Sequence, residues 1–172
     1  MPHIQCLAPI ARNDAKILIL GSMPGKASLG AERYYAHPQN VFWRIMGSLI
    51  SLDPALPYAN KLQALMSARI ALWDVLHSCI REGSLDSHIE AASQIPNDFQ
   101  SFFSDHSNIT HVFFNGALAE QAYRKHVLGQ IPAGNIEYLR LPSTSPANAA
   151  ISYARKHEAW KIISHTLESK SK

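Results

Sequence analysis

Residues 17–21 read Ile-Leu-Ile-Leu-Gly, an unbroken apolar run that a glycine ends. Such a run is typical of a strand that helices cover on both faces of a sheet. Apolar runs at residues 70–76, 111–114 and 136–141 repeat the pattern and alternate with segments of helical spacing. This alternation predicts an α/β fold, a three-layer αβα sandwich around a central, mainly parallel four-stranded sheet.

The segments between these strands predict helices and one long loop. Apolar residues recur at helical spacing in residues 41–46, 58–67, 99–103, 117–127 and 149–167. Asn40 precedes the first of these helices and is a suitable N-cap. Residues 22–39 form a loop longer than an ordinary connection, and its aromatic residues favour a functional role. Right-handed crossovers place the loops after the strands on one edge, where open α/β sheets bind ligands.

The composition fits a single globular domain over residues 1–172. A chain of 172 residues, 47% hydrophobic and 17% charged, buries roughly 70% of its unfolded surface and needs no metal or disulfide to fold. Cys6 and Cys79 form no CxxC pair, which excludes a zinc ribbon and a four-cysteine iron–sulfur cluster. We expect no cofactor. The nine histidines have no metal-binding spacing, so we also expect no metal.

The chain is expected to be cytoplasmic, monomeric and free of membrane contacts. No window has the roughly 20 apolar residues of a membrane span, and the N-terminus lacks the order of a signal peptide. Lys and Arg number 16 against 13 Asp and Glu, and the resulting charge of +3 permits an anionic partner without requiring one. The Ser/Lys tail from Ser169 is expected to be a frayed end.

A turn with two glycines, Gly21-Ser22-Met23-Pro24-Gly25, follows the first strand. Glycines let backbone amides approach a ligand, and a following helix start adds positive potential. The Walker and Rossmann glycine spacings are both absent, so nucleoside triphosphates and dinucleotides are poorly supported as ligands. Taken alone, a turn of this kind is more often a matter of topology than a site.

The segment from Tyr34 to Trp43, Tyr-Tyr-Ala-His-Pro-Gln-Asn-Val-Phe-Trp, is far more specific. With the glycine turn and the segment Ser-Thr-Ser-Pro-Ala-Asn at 143–148, it resembles the uracil-DNA glycosylase superfamily, most closely the hypoxanthine-DNA (deoxyinosine) glycosylase branch. Mismatch-specific uracil glycosylases share the Ala-His-Pro-x-Asn-x-Phe-Trp pattern. The resemblance spans about Ile17 to Trp160. It implies a monofunctional DNA glycosylase of base excision repair, which flips a deaminated base, first of all hypoxanthine, out of damaged DNA and hydrolyses its N-glycosidic bond.

The resemblance implies that Asn40 is the catalytic residue. Many family members have Asp or Asn as the third residue of the glycine turn, where this chain has Met23, which cannot polarise water. In the hypoxanthine branch the importance shifts to the asparagine of His-Pro-Gln-Asn. Asn40 would therefore position the attacking water through its side-chain carbonyl. A role as a helix cap is the alternative, and one residue can do both.

The same resemblance implies which residues bind the base. Tyr35 matches the aromatic residue that stacks on the extruded base, with Tyr34 as a second choice and packing as the alternative. Amides near Ser22 and Met23 would help to hold the base. Asp74 lies where the superfamily places its base-reading residue.

The chemistry of Asp74 suits hypoxanthine. An ionised Asp accepts from N1–H of hypoxanthine while an amide donates to O6, and adenine has no N1–H. A cap for the next turn, or an ion pair with Arg81, is the alternative role.

The remaining predicted residues bind DNA. Residues 143–148 match the loop that pinches phosphates and enters the minor groove, and the hydroxyls of Ser143 and Ser145 suit phosphate contact. Ser143 replaces the His or Asn that several relatives have. Ala147 lies near the usual wedge position but is small for that role, so Asn148 is a candidate to fill the gap, or an N-cap of the last helix.

Gly25 and His37 complete the expected DNA-binding set. His37 is followed by a proline, so it either shapes its loop or binds phosphate. Other function classes remain open: a glycosylase for uracil or mismatches, a non-catalytic module that binds modified bases or DNA, or a small-molecule hydrolase on the same fold.

Overall fold

A computed structural model describes residues 2–169 of the chain. Its strands, in chain order, are β1 His3–Gln5, β2 Ile17–Gly21, β3 Ile70–Asp74, β4 Leu76–Ile80, β5 Ile95–Pro96, β6 His111–Asn115 and β7 Glu137–Leu141. Its α-helices are α1 Lys26–Ala31, α2 Phe42–Ile50, α3 Tyr58–Ser67, α4 Phe99–Asp105, α5 Ala117–His126, α6 Tyr153–Trp160 and α7 Ile162–Glu168.

The central sheet has four strands in the order β3-β2-β6-β7, and each neighbouring pair is parallel. Side chains alternate across a strand, so β2 serves both faces. Leu18 and Leu20 pack in the core beneath α4 and α5, while Ile17 and Ile19 pack with α2, α3, α6 and α7. The predicted α/β sandwich with its four-stranded sheet is confirmed.

A second, smaller sheet was not predicted. Its order is β1-β4-β5, with antiparallel pairs. The apolar run at 70–76 predicts one strand, but β3 ends at Asp74 and the chain enters the second sheet at Leu76. Both segments are buried, so hydrophobicity alone could not mark the point where the chain changes sheets.

Two helix boundaries also differ from the prediction. The long loop at 22–39 contains α1, and the last helix starts at Tyr153 instead of Ala149. Ser152 caps it, since its hydroxyl accepts from Arg155 N–H at 3.3 Å, so Asn148 is not the cap. The same helix is interrupted at Lys161. Within residues 2–169, no helix is long and apolar enough to cross a membrane.

Candidate active site

A cleft of about 670 Å³ lies at the edge of the central sheet where the parallel strands end. All residues predicted for catalysis, base binding or DNA binding line it: Ser22, Met23, Gly25, Tyr35, His37, Asn40, Asp74, Ser143, Ser145, Ala147 and Asn148. Its size falls in the usual range for small-ligand sites, about 300–1,000 Å³. The structure therefore brings four separate stretches of the sequence around one hollow.

The glycine turn is shaped by its neighbour on β3. Gly21 pairs in register with Asp74, and a Cβ at Gly21 would lie 2.6 Å from Asp74 Oδ1. Any other residue at this position would displace the carboxylate. The next two residues, Ser22 and Met23, are buried at the cleft, 6% exposed each.

Asp74 is 4% exposed, and its Oδ2 is buried without a hydrogen-bond partner among the described residues. Arg81 forms no ion pair with it, and no turn is capped by its carboxylate among residues 2–169. Both alternative roles are thus unsupported. Burial, followed by the negative charge of Asp86, raises the pKa of Asp74 to about 7, while Arg81 acts in the opposite direction.

The two adjacent tyrosines have different surroundings. Tyr34 is buried, and its hydroxyl donates to Ala8 O at 2.7 Å, so this side chain packs in the protein interior. The ring of Tyr35 stacks on Phe42 with 4.0 Å between ring centroids, and its hydroxyl is buried without a hydrogen-bond partner in the part of the chain that the structure describes. Tyr35 also has φ of 56°, in the left-handed region that bulky residues seldom adopt. Such strain is concentrated at ligand sites, and it sets Tyr35 apart from Tyr34.

Asn40 lies two residues before the first residue of α2. Its Oδ1 accepts from Phe42 N–H at 3.0 Å, although Val41, one residue later, holds the N-cap position. A carbonyl oxygen has two lone pairs, so one remains for a water molecule in the cleft. His37, which is exposed, accepts from Gln39 N–H through Nδ1 at 3.1 Å. That bond is consistent with a loop-shaping role.

The loop at 143–148 is tied to the end of β6. Asn115 Nδ2 donates to Thr144 Oγ1 at 3.0 Å, and Thr144 N–H donates to Asn115 Oδ1 at 2.9 Å. Thr144 O in turn accepts from Val41 N–H at 3.1 Å, which joins this loop to the Asn40 segment. Asn148 Nδ2 donates to Ser143 O at 3.1 Å, while Ala147 is exposed. The sequence indicates Asn115 only through the Asn-Gly pair at the end of a strand.

One wall of the cleft consists of residues that no sequence motif indicates. Ser84, Leu85 and Asp86 line it, and the Ser22 hydroxyl donates to Asp86 Oδ1 at 2.7 Å. These residues belong to a polar connection that follows the unpredicted strand β4. No pattern near them in the sequence indicates that they return to the glycine turn.

The cleft thus combines a buried carboxylate, an aromatic ring and an oriented amide. Among residues 2–169, no cluster of His, Cys, Asp or Glu is arranged to hold a metal ion. This set of groups suits recognition of a heteroaromatic ring with an N–H donor.

The model of the uracil DNA glycosylase superfamily matches residues 9–164. A curated hypoxanthine DNA glycosylase from Methanosarcina barkeri is 40% identical over 113 residues, which are 65% of this chain and 70% of that protein. Another from Methanosarcina acetivorans is 36% identical over 151 residues, 87% of this chain and 90% of that protein.

A solution NMR structure from Methanosarcina acetivorans, described as a candidate uracil DNA glycosylase, is also similar. It has a TM-score of 0.82 and 33% identity, and the match covers 98% of this chain and 100% of that one. The resemblance noted from the three motifs is therefore confirmed, and this chain belongs to the uracil DNA glycosylase superfamily.

Proposed function

We propose that the protein is a monofunctional DNA glycosylase of base excision repair, which hydrolyses the N-glycosidic bond of deoxyinosine and leaves an abasic site. The observation that carries the proposal is the convergence of Tyr35, Asn40, Asp74 and Ser143 on one cleft. Membership of the superfamily supports DNA as the substrate, and two relatives are named hypoxanthine DNA glycosylases.

Base recognition begins with extrusion. A base within a duplex is out of reach, so the enzyme flips it out at a cost of a few kcal/mol, which a weak deaminated pair lowers. In the cleft, the ring of Tyr35 would stack on the base through the face that Phe42 does not cover. The ionised Asp74 would accept from N1–H of hypoxanthine, a donor that adenine lacks.

Hydrolysis then needs an oriented water. Asn40 Oδ1, held by Phe42 N–H, would accept a hydrogen bond from the water with its second lone pair. The water oxygen bonds to C1′ as the bond from C1′ to N9 breaks, and the electron pair leaves with the base. The water gives up a proton, which neutralises the departing base. Residues 21–25, 34–43 and 143–148 contain no lysine, so no amine in these motifs would form a Schiff base.

Cleavage of defined duplexes tests the proposal. Duplexes with deoxyinosine, deoxyuridine, deoxyxanthosine or an undamaged base are incubated with the protein, and abasic sites are then cut with alkali. We expect strand breaks at deoxyinosine and none in the undamaged duplex. Absence of breaks at every damaged base, with tight binding retained, would instead indicate a non-catalytic module.

Uracil is the second candidate base, because the similar NMR structure is described as a candidate uracil DNA glycosylase. Uracil also presents a ring N–H beside a carbonyl oxygen, so Asp74 could read it in the same way. Breaks confined to the deoxyuridine duplex would move the substrate to uracil.

A further inference from the structure

The connection at residues 83–86 is hydrogen-bonded to the glycine turn and to the residue that follows it. The Ser22 hydroxyl donates to Asp86 Oδ1 at 2.7 Å, and the backbone N–H of Lys26 donates to Ser84 Oγ at 2.8 Å. The first bond is as short as charge-assisted bonds between a hydroxyl and a carboxylate are. The connection is therefore an integral wall of the cleft.

A buried arginine supports the same wall from behind. Arg81 is 1% exposed, and its Nη2 donates to Pro24 O at 2.6 Å while its Nε donates to Gly83 O at 2.9 Å. It forms no ion pair with Asp74 or Asp86. Its guanidinium thus spans the two loops through backbone carbonyls, and its charge acts on both carboxylates from a distance.

Two charged residues, Asp86 and Arg81, act on Asp74. Asp86 raises the pKa of Asp74, second only to burial, and Arg81 opposes it. The other titratable groups facing Asp74 are Cys6, Tyr34 and Tyr35, and burial raises the pKa of each, so they stay neutral near pH 7.

Asp86 itself has Ser22, Arg81 and Cys79 as its polar and titratable neighbours. Although the residue keeps an exposed face, the cleft wall shields its carboxylate and raises its pKa, while the Ser22 hydrogen bond and then Arg81 act in the opposite direction. The Cys79 thiol stays neutral, because burial raises its pKa. Asp74 and Asp86 line the same cleft, and among the described residues Asp86 is the carboxylate whose negative charge raises the pKa of Asp74.

We propose that Asp86 is a positioning residue for the base slot, which holds the Ser22 side chain and controls whether Asp74 meets the base as a carboxylate or as a neutral acid. The proposal rests on the proposed function for its substrate. With its proton engaged by Asp86, the Ser22 hydroxyl can only accept hydrogen bonds from a ligand. An ionised Asp74 reads N1–H of hypoxanthine, whereas a neutral acid also pairs with adenine, so Asp86 acts on selectivity.

Two substitutions separate the two effects. Asp86→Asn removes the charge but keeps an oxygen that accepts from Ser22, and Ser22→Ala removes the hydrogen bond but keeps the charge. Asp105→Asn is the control, since Asp105 is exposed and does not line the cleft. The titration of Asp74 is followed by ¹³C NMR of its carboxyl carbon, assigned with Asp74→Asn. Single-turnover excision of hypoxanthine is followed from pH 5 to 9.

We expect Asp86→Asn to lower the Asp74 titration midpoint by about half a pH unit or more, because it removes a like charge. The acid limb of the excision profile should move with it. Ser22→Ala should slow excision about tenfold, as for loss of a charge-assisted bond, and move the midpoint less. Asp105→Asn should leave the rate and the midpoint unchanged.

An Asp74 midpoint in Asp86→Asn equal to that of the wild type and Asp105→Asn would overturn the proposal. Since the NMR titration needs no substrate, it decides this point even if the wild type excises no hypoxanthine, which would refute the proposed function alone. Thermal unfolding of each variant checks that it folds. If Asp86→Asn does not fold, a wild-type excision rate in Ser22→Ala would still overturn the positioning role.

Discussion

Tyr35 OH and Asp74 Oδ2 lie beside the cleft and are buried, and neither has a hydrogen-bond partner within residues 2–169. Buried polar groups are usually paired, and each exception costs about 1–3 kcal/mol. Both atoms belong to residues that the sequence predicts to bind the base. At the level of single residues, the cleft thus contains unpaired buried polar groups, which lower stability, at the place where a ligand is expected to bind.

Asp74→Asn tests the reading of the base. The amide keeps the size of the carboxyl group but can also donate, so it can pair with adenine as well as with hypoxanthine. We expect the ratio of deoxyinosine to deoxyadenosine excision to fall at least about tenfold, as for a lost bidentate discrimination. Competition between the two duplexes in one reaction measures this ratio. A ratio equal to that of the wild type would remove Asp74 from base reading.

Two substitutions at Tyr35 separate the contribution of ring stacking from that of the hydroxyl group. Tyr35→Leu removes the aromatic ring, and we expect single-turnover excision to slow by about 5- to 150-fold, the equivalent of 1–3 kcal/mol per stacked base. Tyr35→Phe keeps the ring and removes only the unpaired hydroxyl, so it should stay within about threefold of the wild type and unfold at a higher temperature. Equal rates for the leucine and phenylalanine variants would contradict the stacking role.

Asn40→Ala tests the orientation of water. It should lower single-turnover excision by about 10²- to 10⁴-fold, the usual contribution of a group that assists proton transfer or orients water. It also removes the acceptor of Phe42 N–H, which costs about 1 kcal/mol of stability.

Asn40→Ser is the matched control for that loss. A serine hydroxyl can still accept from Phe42 N–H, so stability measured in urea should recover while excision stays slow. Recovery of both would assign Asn40 to capping alone.

At the scale of the element, the site depends on how strand ends hold loops. The end of β6 holds the loop at 143–148 through the paired hydrogen bonds of Asn115 and Thr144. The end of β3 places Asp74 against Gly21. Regular strands therefore supply the precision, and the loops supply the groups that face the cleft.

Thr144→Val is a test at this scale. Valine keeps the shape of threonine and the backbone N–H to Asn115, but it leaves Asn115 Nδ2 without its acceptor. We expect affinity for abasic-site DNA to fall about 5- to 10-fold, corresponding to about 1 kcal/mol of lost ordering. Thr110→Val, on a residue outside the cleft, is the control. Fluorescence anisotropy with a labelled duplex measures both, and equal affinities would show that the loop needs no such tie.

At the scale of the whole molecule, Asp74 couples stability to pH. Its pKa is about 7 in the folded state and near 3.8 as a free group, so the folded chain binds an extra proton between these values. The stability that this proton contributes is complete below about pH 4 and is lost as the pH rises through 7, up to about 4 kcal/mol.

The Asp74→Asn variant isolates this effect because it has no carboxyl group to titrate. Relative to the wild type, its melting temperature should rise between pH 4 and pH 8. Differential scanning calorimetry at the two pH values measures the change, with Asp105→Asn as the exposed control. A constant difference in melting temperature would mean that Asp74 ionises normally in the folded protein.

Local patterns in the sequence predict the four parallel strands, most of the helices and the three motifs of the superfamily. These features are local: strand β2 is a run of adjacent apolar residues, and α5 is marked by spacing within ten residues. Asn40 and Tyr35 are candidates because they belong to a short motif, and Asp74 is a candidate because of its position at the end of a predicted strand. Their catalytic and binding roles stay predictions.

The surroundings of those residues depend on contacts between distant parts of the chain. The break of the apolar run at Asp74, the second sheet, the wall at 83–86 and the link from Asn115 to Thr144 join residues far apart in the chain. Local hydrophobic periodicity contains no information about such pairs, because each depends on where two loops meet. The raised pKa of Asp74 also depends on the tertiary structure, since burial and the charge of Asp86 act on it only in the folded chain.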